Sequence, residues 1–76
     1  MNQKLTQYLI DNKIKPNTMI CIIFHLKGLV PPHKVIITQA VRGGWFTYKN
    51  YQMKPTKKLN KFVFGFLELA KAEGEL

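Results

Sequence analysis

Lys57, Lys58 and Lys61 open a segment that then places Leu59, Phe62, Val63, Phe66, Leu67, Leu69 and Ala70 at helical spacing. At about 100° per residue these apolar side chains share one face, with Lys57, Lys61 and Glu68 opposite. Cations on a first helical turn sit against the positive end of the dipole, so the arrangement becomes useful when it meets something negative outside the protein. Phosphate recognition is the chemistry these residues could serve. Little else in the chain offers any, since it holds two histidines, one cysteine and four acids. His25 falls in an apolar run and His33 in a loop, with no carboxylate near either in sequence. No acid pair has a spacing suited to general acid and base work. No Cys/His cluster has zinc spacing, and "RGG" is too short to cradle a phosphate. Cys21, inside an apolar run, reads as core filler. The expectation is a non-enzymatic protein without cofactor or metal.

Charge defines the partner class. Twelve Lys and Arg against four Asp and Glu leave a net +8 in 76 residues, and residues 12 to 67 contain no acid. Such an excess argues for nucleic acid or an anionic surface as partner. The length suits one domain, residues 1 to 76, and nine aromatic residues exclude a disordered tail. Met1 is followed by polar residues, and the longest apolar run, "MICIIF", is too short to span a bilayer. With a single cysteine, the chain is expected to be intracellular (cytoplasmic or nuclear) and to have no membrane partner.

The elements that must position these residues follow from patterning. Residues 2 to 13 place Leu5, Tyr8 and Leu9 on one helical side, with Asn2 as N-cap. Residues 18 to 26 read as a strand from their β-branching, with a buried helix capped by Asn17 and closed by Gly28 as the rival. "LVPP" is loop. "KVIITQAV" and "WFTYKNYQM" read as antiparallel strands joined across Arg42, Gly43 and Gly44, whose glycines supply positive φ. A final helix runs from the cap Thr56 to about Ala72, with Gly74 just beyond. The predicted fold is α+β in the order α-β-β-β-α: a three-stranded antiparallel sheet with two helices on one face. Leu5, Leu9, Ile20, Ile22, Phe62, Phe66 and Leu67 are its expected core, and Trp45 a sheet residue covering it.

That order and three local motifs resemble the double-stranded-RNA-binding domain. "LTQYL" places Gln7 where the family carries a first-helix Glu. "GLVPPHK" brings His33 to the loop histidine position. "TKKLNK" matches the cap and lysine run that begin the last helix. The resemblance implies a module that reads duplex RNA by shape, through phosphates and minor-groove 2′-hydroxyls. It implies contacts from Lys4, Gln7, His33, Lys34, Lys57, Lys58 and Lys61.

Two other readings stand beside it. One is a protein-interaction module on the same fold, anchored by Phe64, Tyr48 and Tyr51. The other is a small winged-helix DNA binder. It takes residues 17 to 27 and 32 to 42 as a helix-turn-helix, aims Lys34, Thr38, Gln39 and Arg42 at the major groove, and makes "GGWFTYKNYQM" the wing.

Overall fold

The computed structural model describes residues 3–75. It contains α1 (Gln3–Asp11), α2 (Pro16–Leu26), α3 (Lys34–Arg42), β1 (Phe46–Lys49), β2 (Gln52–Pro55) and α4 (Lys57–Ala72). The strands form one antiparallel hairpin, with Phe46 opposite Pro55 and Lys49 opposite Gln52. The class is α+β, but the three-stranded layout is not what forms. Residues expected as the first two strands are α2 and α3, and the sheet is two-stranded. Asn2, expected to cap α1, lies outside the described residues.

The helical course of α2 and α3 has local causes. Pro16 sits in the first turn of α2, where its missing N–H costs nothing. Its N-cap is Lys15, not Asn17, which lies within the helix. Thr18, Cys21 and Ile22 are buried at the i, i+3, i+4 spacing of one helical face. In α3 the corresponding set is Ile36, Ile37 and Ala40, of which Ile37 and Ala40 are buried and Ile36 half-buried. The helix penalty for a β-branched residue is at most about 0.7 kcal/mol. Burying one such side chain contributes about 1.5–3 kcal/mol, so packing decides.

The four described helices end in the same motif. Beyond α3, the Gly44 amide donates to the Val41 carbonyl and the Trp45 amide to the Ala40 carbonyl, both at 3.0 Å. Gly44 takes φ 78°. That is a Schellman stop. The "RGG" segment supplies positive φ at Gly44, but it ends a helix instead of turning a hairpin. The hairpin turns further on, at Asn50 (φ 52°) and Tyr51 (φ 60°), the two left-handed positions of a type I′ turn. Gly28 and Gly74 close α2 and α4 in the same way as Gly44. At the end of α1, Lys13 fills the glycine position with φ 55°.

Packing joins α2 to α3, α3 to β1, and α1 to α4. Cys21, Ile22, Ile37, Ala40, Trp45, Phe46, Leu59 and Phe62 form the buried cluster. Of the expected core, Leu5, Ile22 and Phe62 are buried, and Leu9, Ile20 and Phe66 half-buried. Leu67 is 46 % exposed, a correction: it sits at the rim of the packed face of α4, not within it. Trp45 is buried, but it directly follows α3 and its stop rather than lying in a strand.

Candidate nucleic-acid interface

The inward side chains of α3 leave Lys34, Val35, Thr38, Gln39, Val41 and Arg42 exposed on one continuous face. It carries two cations, one amide and one hydroxyl beside two valines, and no acid. Thr38 donates its hydroxyl to the Lys34 carbonyl (2.8 Å). The Gln39 side-chain oxygen accepts from the Asn17 amide at 3.0 Å, a bridge that sets the first turn of α2 against α3. Between these helices lies a depression of about 290 Å³ lined by Lys13, Lys15, Thr18, Gln39, Arg42, Gly43 and Trp45. Three of its linings are cations, and the start of α2 adds its partial positive charge.

The hairpin extends the positive surface. Lys49 and Lys54, with Thr47, Asn50 and Gln52, line a second polar recess on the hairpin. At its tip Tyr51 is 83 % exposed.

The lysines that open α4 divide in function. Lys58 donates to the Gly43 carbonyl at 2.7 Å, and its ammonium lies 4.3 Å from the Trp45 ring centroid. Thr56 donates to the Gly44 carbonyl (2.6 Å) and accepts from the Leu59 amide (3.3 Å). Thr56 and Lys58 therefore clamp the start of α4 onto the end of α3. There the ammonium meets the Gly43 carbonyl at the negative end of α3, where a cation is favourable. Lys57 and Lys61 remain exposed on the outer side.

The other residues expected to contact RNA are scattered. Gln7 donates to Asp11 (2.8 Å) along α1, and Lys4 pairs with Glu73 at 3.0 Å. His33 is the N-cap of α3 without a side-chain capping bond, and Lys34 is the first residue of that helix. Lys34 thus joins the α3 face, whereas Lys4 and Gln7 belong to α1. Among the described residues, no group of three His, Cys, Asp or Glu could hold a metal ion, and no helix is long and apolar enough to cross a membrane. Burial raises the Tyr8 hydroxyl and the Cys21 thiol above their ordinary pKa values, and both belong to the scaffold. Lys13 and Lys15 had no motif to mark them. Their signal was their place in a long stretch without acids. No protein-family model, curated protein or solved structure matches this chain.

Proposed function

We propose that this chain is a winged-helix DNA-binding module, with α3 entering the major groove of duplex DNA and the hairpin lying against the flanking backbone. The observation that carries this reading is the mixed, acid-free outer face of α3. Val35, 67 % exposed, lies beside Lys34, Thr38 and Arg42, a mixture of groups that a base-reading helix can use. Arg pairs with guanine and Gln with adenine through two hydrogen bonds each, and small apolar groups meet the thymine methyl. Lys13, Lys15, Lys49 and Lys54 then serve phosphates on either side, which position the helix without reading sequence.

B-form DNA suits this geometry better than duplex RNA. The major groove of B-DNA admits a helix, whereas that of A-form RNA is too deep and narrow for side chains to read. The decisive experiment is a titration against DNA and RNA duplexes of matching sequence, followed by selection from a random DNA pool. Preference for DNA and enrichment of a short motif are the expected results. Equal affinity for both duplexes with no enriched motif would leave α3 without a reading role.

A further inference from the structure

The depression between α2 and α3 holds two polar groups that DNA binding leaves unused. Thr18 is 2 % exposed and Trp45 4 % exposed, and both line it. The Thr18 hydroxyl and the Trp45 indole N–H have no hydrogen-bond partner among the described residues. Every fully shielded polar side-chain atom among those residues does have one. The small surface that Thr18 and Trp45 keep must therefore include these two groups, and the depression is the opening that both line. Gly43 keeps the indole edge bare. Its φ of −76° suits any residue, but a Cβ there would stand 2.8 Å from the indole Cδ1 and 2.9 Å from the indole nitrogen. Buried donors without partners are costly and rare. Two of them on one recess point to a ligand.

The surrounding groups define that ligand. Gln39 commits its side-chain oxygen to Asn17, which leaves its N–H groups available. Lys13, Lys15 and Arg42 add three cations, and no acid joins them in the lining. All six groups can donate a hydrogen bond, and five of them cannot accept one. Such a set selects a deprotonated oxyanion of high charge. A phosphate monoester carries about −1.5 to −2 at neutral pH. A DNA backbone phosphate carries about −1, and the ester on each side of it keeps it at the rim. A cavity of about 150 Å³ holds benzene, so one of about 290 Å³ admits a phosphoryl group with a small carrier. We infer that the depression is a binding site for the phosphate monoester of a small molecule, and that its occupant competes with DNA. Thr18 and Trp45 donate to the phosphoryl oxygens from the floor, Gln39 donates from α3, and the three cations balance the charge. Competition follows because Gln39 and Arg42 belong to the exposed face of α3 and to this lining alike. The competition rests on the DNA-binding reading, whereas the site itself does not.

Trp45 is the one tryptophan of the chain, so its indole N–H gives a single proton resonance that reports on the site. Titration with monomethyl phosphate at constant ionic strength should move that resonance and saturate at millimolar concentration. Dimethyl phosphate, a monoanion, should bind at least about tenfold more weakly. Thr18→Val keeps the shape of the side chain without its hydroxyl and should weaken monomethyl phosphate about tenfold. Its melting temperature should hold or rise, since an unpartnered hydroxyl is removed. Lys15→Glu, at an exposed position, should abolish binding without unfolding the chain. An unmoved resonance, an equal response to the two esters, or undiminished binding by Thr18→Val overturns the site. A DNA duplex whose 5′-phosphate moves the resonance more than monomethyl phosphate does would place the monoester on DNA and overturn the small-molecule source. In a second arm, monomethyl phosphate should release a duplex with 5′-hydroxyl ends from wild type, and require about tenfold more to release it from Thr18→Val. DNA that stays bound when the indole shift is saturated overturns the competition. The first titration contains no DNA, so failure of the site is separable from failure of the DNA-binding reading.

Discussion

Gly65 and Tyr51 each sit where their own type is locally unfavourable, and each has a physical explanation. Gly65 lies in the middle of α4, where glycine costs about 0.5–1 kcal/mol relative to alanine. Tyr8 accounts for it. The Tyr8 hydroxyl donates to the Phe62 carbonyl at 2.9 Å, its ring stacks on Phe62, and a Cβ at residue 65 would collide with that hydroxyl. Gly65→Ala should therefore destabilise by about 1–3 kcal/mol through overpacking, despite the better helix former. A thermal melt should show it, at about 4–8 °C per kcal/mol for a domain of this size. In a Tyr8→Phe background, which removes the hydroxyl, most of that loss should vanish. An unchanged or raised melting temperature for Gly65→Ala alone would refute the account. Tyr51 is the second case. It holds a left-handed position that type I′ turns reserve for glycine, with its ring almost wholly in solvent. A left-handed non-glycine residue costs about 1–2 kcal/mol, and strain at an exposed tip points to a contact made outside the chain. Tyr51→Gly should raise the melting temperature and weaken DNA binding together. If affinity is unchanged, the tip touches nothing.

At the scale of elements, the sequence was legible where chain punctuation and periodicity agree. Thr56 as cap, Gly74 as stop and the buried face of Leu59, Phe62 and Ala70 were all readable, because α4 is long enough for its period to emerge. Segment 18–26 hid its period, since nearly every position is apolar, and α3 hid behind a run of β-branched residues. Gly43 and Gly44 show why. Positive φ serves a Schellman stop as well as a hairpin, and only tertiary packing of Trp45 selects between them. Helices of 9, 11, 9 and 16 residues against two strands of four predict a strongly helical far-ultraviolet dichroism spectrum. A spectrum dominated by strand would restore the three-stranded layout. The α3 face makes the second prediction at this scale. Arg42→Ala should cost about 1–3 kcal/mol in DNA affinity and relax selection at one base pair. A phosphate contact would instead weaken every sequence alike. A binding-site selection repeated with the variant distinguishes the two.

Over the whole molecule, the candidate site was legible as charge but not as geometry. The acid-free stretch argues for an anionic partner. The lysine run that stands out as its focus is partly internal, because Lys58 is committed to Gly43 and Trp45. The positive surface is instead assembled from the start of α2, the face of α3 and the hairpin, pieces far apart in sequence. If that surface meets phosphates directly, where a lysine lies must matter more than how many there are. Replacing Lys49 and Lys54 by alanine removes two charges, taking the formal net charge from +8 to +6. Replacing Lys4 and Lys71 does the same on α1 and α4, away from the α3 face, and the surface Lys4–Glu73 pair it breaks is worth at most about 1 kcal/mol. Each phosphate neutralised contributes about 0.9 to the slope of log affinity against log salt concentration. The hairpin variant should therefore flatten the slope by nearly two, while the α1/α4 variant leaves it close to wild type. Fluorescence anisotropy on one DNA duplex across a salt series measures both. Equal flattening by the two variants would mean that the excess charge acts only as a diffuse field, and that the hairpin lysines contact no phosphate.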